Sequence, residues 1–268
     1  MRACLPLLLL FSLFPACMQN PAGLSQYRSV DLSYPFSKET LYWPTEDPFH
    51  LEKEAAGVTE KGYYYSSNHY AASEHGGTHM DAPIHFAEGQ STVADLPLSQ
   101  LQGPAYVVDL STAVKNNPDY LITHQDLLAW EMKHGQIPSG AVVLLRTGYG
   151  RHWPDARKYL GTSERGPEAV KQLHFPGLDP SGAQWLVDHR RPNMVGIDTA
   201  SIDYGQSTQF LSHQILAKAK IPILENVANL DQLPLAGFWV MALPMKIAGG
   251  SGAPTRIVAL IPPGTKGP

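Results

Sequence analysis

Short apolar runs recur along this chain. They fall at Arg28–Ser33, Tyr63–Tyr70, Ala105–Leu110, Ala141–Arg146, Asn193–Asp198, Ile221–Glu225, Phe238–Leu243 and Arg256–Ile261. Most are rich in Val, Ile, Leu or aromatic residues, and runs of this length predict strands. Helical stretches interleave. Thr123–His134 opens on a capping threonine with Asp126 three residues on, and Gly135 stops it. Pro180–His189 follows Asp179, a cap before a proline at the first helical position. Ser207–Lys218 ends in lysine, which suits a helix C-terminus. The pattern predicts a mixed α/β, strand-rich single domain. No compositional shift after residue 25 marks an internal boundary, and no repeat or low-complexity tract is present.

Composition narrows the picture. The chain has 268 residues, is 43% hydrophobic and carries a formal net charge of −4. It is long enough to bury a core. A slightly acidic chain without a Lys/Arg run excludes nucleic acid as a partner class. Met1-Arg2, the apolar run Leu5–Phe14 and Pro15-Ala16-Cys17 read as an export signal over residues 1–17, followed by a linker at 18–27. The run is too short to span a bilayer. Ala16-Cys17 also resembles a lipoprotein cleavage site, so simple secretion and a lipid anchor at Cys17 both stand, and the anchor is the only membrane contact expected. Both cysteines, Cys4 and Cys17, lie in this segment, so the body at 28–262 has no thiol nucleophile and no internal disulfide. Residues 263–268 read as a tail.

The chemistry concentrates in His75-Gly-Gly-Thr-His79-Met-Asp81-Ala-Pro-Ile-His85. In an extended segment, residues two apart share a face, so His79 and Asp81 can point the same way from one strand. A fully extended run from 75 to 85 would span roughly 33 Å, too long to gather four groups. Gly76-Gly77 and Ala82-Pro83 are where the chain can bend. Neutral imidazole and carboxylate suit Zn²⁺ or Mn²⁺, and three protein ligands leave a position for water. The helical zinc motif HExxH is excluded, because Gly76 follows His75. Gly249-Gly250-Ser251-Gly252 approaches a nucleophile elbow, but Ala253 and Pro254 break the pattern. Gly148-Tyr-Gly150 lacks the third glycine of a dinucleotide fingerprint. Asp198 and Asp203 flank Thr199-Ala-Ser201 at a strand end, where polar groups often serve a site or cap a turn.

His75-x-x-x-His79-x-Asp81-x-x-x-His85-Phe86 resembles the signature of the cyclase-like metal-dependent amidohydrolases, a family that includes bacterial-type kynurenine formamidase and isatin hydrolase. The resemblance covers roughly residues 28–262 and implies a swivelling β/β/α-type architecture. It implies His75, His79 and Asp81 as metal ligands and His85 as general base and acid. It implies a second metal, held by His213 and by Glu225 twelve residues on, with Asp81 shared. It sets Trp43, twelve residues after the Asp31-Leu-Ser33 opening, against the substrate. It also implies a homodimer or higher homo-oligomer. The implied reaction is hydrolysis of a carbon–nitrogen amide bond in a small aromatic substrate, either an isatin-like cyclic amide or N-formylkynurenine. Export, Glu74-His75 and the extended motif favour the cyclic amide. So does Pro44-Thr45-Glu46-Asp47 after Trp43, where formamidases usually continue Pro-Gly-Asp. A reading of another class is an exported metal- or ligand-binding protein without turnover, which would have no use for His85.

Overall fold

Val142 to Leu145 carries no polar side chain, and all four residues are fully buried. Both faces of this strand are covered. Val142 and Leu144 join one apolar cluster, while Val143 and Leu145 join the other. Side chains alternate across a strand, so a continuous apolar run marks a strand buried on both sides.

The computed structural model describes residues 23–265 and 267. The segment read as an export signal, with Cys4 and Cys17, lies outside the described residues. The strands are β1 Arg28–Asp31, β2 His50–Val58, β3 Tyr64–Ala71, β4 His79–Asp81, β5 Gln102–Asp109 and β6 Leu121–Ile122. They continue with β7 Val142–Arg146, β8 Gly177–Leu178, β9 Met194–Ile197, β10 Ile223–Glu225, β11 Phe238–Pro244 and β12 Gly252–Ile261. The helices are α1 Ser111–Val114, α2 His124–His134, α3 Ala156–Tyr159, α4 Pro167–Val170, α5 Pro180–His189 and α6 Leu211–Lys218. Among the described residues, no helix is long and apolar enough to cross a membrane.

The main sheet closes on itself. Its order is β12-β11-β5-β7-β9-β10-β4, and β4 pairs back onto β12, with β1 extending beside it on β12. β5, β7, β9 and β10 run parallel; β4 is antiparallel to both β10 and β12. The interior is filled by alternating residues such as Met80, Val107, Leu144, Leu224, Val240 and Ile257. Outside the parallel strands lies the second cluster, where Leu127, Trp130, Leu186 and Leu216 bring α2, α5 and α6 onto the sheet. The result is the mixed α/β, strand-rich single domain expected, with a barrel at its centre.

Capping explains the helix ends. Thr123 and Asp126 form the expected capping box of α2, and the Asp179 carboxylate accepts from Ser181 N at 2.8 Å to start α5. The helix expected from Ser207 begins only at Leu211. Phe210 takes a left-handed φ of 50°, and the Asp203 carboxylate accepts from the Ser212 and His213 amides, both at 3.1 Å. That carboxylate ends the preceding turn and supplies the cap that Ser207 does not.

β2 and β3 form a separate hairpin that the apolar pattern shows only in its second strand. Its residues are almost all exposed, including Leu51, Val58, Tyr64, Tyr65 and Tyr70. β2 has no burial alternation, so it carries no strand periodicity for sequence to reveal.

Candidate metal centre and active site

β4 is three residues long, and its register places the candidate groups. His79 lies opposite Glu225 on β10 and Pro254 on β12; Asp81 lies opposite Ile223 and Gly252. Met80 points into the barrel, so His79 and Asp81 face outwards beneath α6. The chain reaches β4 through a turn at Gly77, with φ of 56°, and at Gly76 a Cβ would overlap the Tyr42 ring at 2.0 Å. After β4, Pro83 opens a single 3₁₀ turn, and His85 N donates to Ala82 O at 2.9 Å. This folds His85 back over His75, with ring centroids 3.8 Å apart and planes 18° apart.

All six expected metal-site and catalytic residues meet in this one place. Asp81 Oδ1 lies 2.7 Å from His75 Nδ1 and 3.2 Å from His79 Nε2. Asp81 Oδ2 lies 3.2 Å from His213 Nε2. Glu225 reaches His213 Nε2 at 3.1 Å and His79 Nε2 at 3.5 Å. Among the described residues, two triads have ligand atoms within 4.8 Å of one another: His75, Asp81 and His85, and His79, Asp81 and Glu225. Asp81 is common to both. The structure therefore sets His85 beside His75 and Asp81 as well as across the pocket from His213, whose ring lies 6.0 Å away.

The outward nitrogens of two imidazoles are tied down. His79 Nδ1 donates to the Gly77 carbonyl at 2.9 Å, and that carbonyl also accepts from Asn226 Nδ2 at 2.7 Å. His213 Nδ1 donates to Asp203 Oδ2 at 2.6 Å. In the neutral rings, Nε2 of each is then a bare lone pair aimed at Asp81 and Glu225. His79 Nε2 is buried and has no hydrogen-bond partner. A buried unpaired nitrogen beside two carboxylates calls for a cation. Without one, protons take that place. Burial alone would lower His79, but Asp81 and Glu225 outweigh it and raise its pKa to about 9. Burial likewise opposes, and Asp203, Asp81 and Glu225 overcome, for His213, which is held well above the usual range. Burial would raise Asp81, yet the surrounding imidazoles hold it well below the usual carboxylate range. The donor set of imidazole and carboxylate fits a divalent metal.

Above these groups is a cavity of about 190 Å³. Leu41, Trp43, Phe86, Leu160, Ala200 and Phe210 form its apolar wall, and His75, His79, His85, His213 and Glu225 its polar floor. Trp43 packs edge-on against Phe210 and Phe175, at 6.0 and 6.4 Å. Asp31 and Ser33 do not reach this cavity. Asp31 pairs with Arg256 at 2.7 Å, and Ser33 Oγ accepts from Ile257 N at 2.7 Å, so they fasten the chain to β12. Asp198 accepts from Thr147 N, Thr147 Oγ1 and Gly148 N at 2.6–2.8 Å and shapes that turn. Asp203, at the same strand end, was not tied to His213 by any spacing rule; only the fold joins them.

A family model described as "Putative cyclase" matches residues 30–204. Isatin hydrolase of Roseibium aggregatum is 32% identical over 209 residues, covering 75% of this chain and 77% of that protein. Kynurenine formamidase of Paracidovorax citrulli is 31% identical over 192 residues, covering 72% and 78%. Among solved structures, isatin hydrolase A from Ralstonia solanacearum superposes with a TM-score of 0.79 at 34% identity, covering 88% of this chain and 93% of that one.

Proposed function

This chain belongs to the putative cyclase family, and on that premise we propose that it is a metal-dependent amidohydrolase acting on a small aromatic amide, with an isatin-like cyclic amide preferred. The observation that carries this is the buried carboxylate Asp81 standing among His75, His79 and His213, with Glu225 beside them, at the floor of an aromatic-walled cavity.

His75, His79 and Asp81 would hold one divalent cation, Mn²⁺ or Zn²⁺, and His213 and Glu225 a second with Asp81 shared. Bound there, such a cation polarises a carbonyl and lowers the pKa of a water. The rest falls to the chain's own groups. Trp43, Phe86 and Phe210 present flat faces and edges that orient a planar ring and exclude bulk water. Burial, reinforced by His75 and His213 and opposed by Asp81, pushes the His85 pKa down to about 4. Its ring is therefore neutral at physiological pH, the form that accepts a proton. As the water oxygen bonds to the amide carbon and the C–N bond breaks, one ring nitrogen of His85 takes the water's proton and returns it to the departing nitrogen. The water's other proton stays on the new carboxyl group and leaves to solvent as that group ionises, so a cyclic amide opens to one molecule bearing both a carboxylate and a free arylamine.

The test is a panel of amides with Mn²⁺ or Zn²⁺ added, reading isatin and N-formylkynurenine side by side. Turnover of isatin well above that of the formamide is the expected result. The second reading, an arylformamidase, is favoured by the formamidase relative and by Trp43 in the cavity; it predicts the reverse order. No turnover of either, with metal retained, would instead support an exported binding protein. The environmental, aromatic substrate accords with export by the N-terminal segment. The exposed hairpin of β2 and β3, with its tyrosines, supports a homo-oligomer, because a two-stranded ribbon is marginal by itself.

A further inference from the structure

The Gly249-Gly250-Ser251-Gly252 segment fails as a nucleophile elbow, yet it leads straight to the metal-binding floor. Glu74 Oε2 accepts from Ser251 N at 2.9 Å, Ser251 Oγ at 2.8 Å and Gly252 N at 3.2 Å. Ser251 Oγ also lies 2.9 Å from His75 Nε2. A hydroxyl has one proton, and an ionised carboxylate only accepts. The serine proton therefore goes to Glu74, and the remaining lone pair of Oγ faces His75 Nε2. That nitrogen must donate. In the neutral ring Nδ1 is then bare, and it stands 2.7 Å from Asp81 Oδ1. Two acceptors this close need a cation, or a proton in its place, between them. The ring is held from the side as well. At Gly252 a Cβ would come within 2.5 Å of His75 Cε1, so only glycine leaves room for it.

His79 and His213 need no such arrangement. Their outward partners, a backbone carbonyl and a carboxylate, can only accept. Serine is different, because it can donate or accept, and Ser251 by itself would leave the proton of His75 undetermined. We propose that Glu74, acting through Ser251, is a positioning residue that sets the proton of His75 on Nε2 and so presents Nδ1 to the divalent cation. This deepens the metal-centre reading and rests on it.

The test uses Co²⁺ alone as probe, added to the metal-free full chain. Affinity is followed by visible absorption, and the proton position on His75 by ¹⁵N NMR of the histidine rings. Outer-shell partners of metal-bound histidines typically contribute about 10–100-fold in affinity. Glu74→Ala and Ser251→Ala are expected to weaken Co²⁺ binding by that factor and to mix the two His75 tautomers. Glu74→Gln retains an oxygen that accepts from Ser251 and is expected to keep both wild-type affinity and the Nε2–H tautomer. Melting curves select variants that fold, and Ser251→Ala removes the fewest atoms. Wild-type affinity and an unchanged tautomer in Ser251→Ala overturn the proposal. Absence of Co²⁺ binding by the wild type instead overturns the metal reading beneath it.

Discussion

Replacing His85 by alanine separates the roles open to that ring. The side chain stacks on His75 at 3.8 Å and meets Phe86 edge-on at 4.5 Å. Losing those two contacts costs about 1–3 kcal/mol of stability, since each aromatic pair contributes roughly 0.5–1.5 kcal/mol. The bonds from His79 Nδ1 to the Gly77 carbonyl and from His213 Nδ1 to Asp203 remain, so the floor stays assembled. Loss of a general base typically costs about 10²–10⁴-fold in rate. At about 1.36 kcal/mol per tenfold, that is about 2.7–5.4 kcal/mol on the barrier, read separately from the change in stability. The expected variant is folded, holds metal and is nearly inactive. The assay pairs elemental analysis of the purified protein with kcat on an aryl amide, and a melting curve accompanies both. His85, His75 and Asp81 have ligand atoms within 4.8 Å of one another, so the competing role is explicit. Loss of one equivalent of metal together with activity would make His85 a ligand and refute the base assignment. Metal retained with unchanged kcat would remove His85 from the chemistry.

Three further outcomes are expected. Asp203→Ala frees His213 Nδ1 from its 2.6 Å bond and should lower metal content at the second position while the first is kept; equal stoichiometry to wild type by elemental analysis would contradict this. Glu131 is half of a nearly buried pair with Arg190: burial would raise its pKa, but the Arg190 bonds and the Ile137 amide outweigh it and hold it below 4.5. A carboxylate lowered on folding stabilises above its unfolded pKa and loses that contribution as pH falls through its folded one. Glu131→Gln should therefore cost about 1.5–3 kcal/mol in urea melts at pH 7, with the deficit shrinking as pH falls below the ordinary carboxylate range and lost only where the folded carboxylate protonates, and a deficit independent of pH would refute the linkage. Tyr64→Ser with Tyr65→Ser on the exposed hairpin should shift light-scattering mass toward the monomer without unfolding the barrel; an unchanged mass would detach the hairpin from assembly.

The eight apolar runs all became strands; seven are buried on at least one face, and burial writes itself into residue choice, while Tyr63–Tyr70 is exposed and shows itself by its tyrosines alone. β2 escaped because it is exposed along nearly its whole length, and β4 because two of its three residues are polar. α2 and α5 were legible from their caps, whereas α6 starts late because its cap, Asp203, lies eight residues upstream of Leu211 and acts through the fold. At the site, His75, His79, Asp81 and His85 announce themselves by spacing, and His213 and Glu225 by resemblance. The Gly77 carbonyl is a backbone atom and leaves no trace in sequence. Glu74 and Ser251 are separated by 177 positions, and only the pairing of β4 with β12 brings them together.

β4 is also the strand on which the ring closes, the single seam between β10 and β12. Three residues make a short seam, and two of them are the candidate ligands His79 and Asp81. Cations held there as proposed would work as a clasp: His79 and Asp81 of β4 would be tied to Glu225 on one side of the seam and to His75, beside Ser251 and Gly252, on the other. Emptying the site leaves Asp81 and Glu225 facing each other over that join. The barrel should then loosen from this edge first, with faster amide exchange at Met80, Leu224 and Ala253 than at Val143 or Leu144 on the far wall. On the proposed metal reading the centre would be part of the chain's closure as well as its chemistry, and chelation would become a way to watch one edge of a closed sheet come undone.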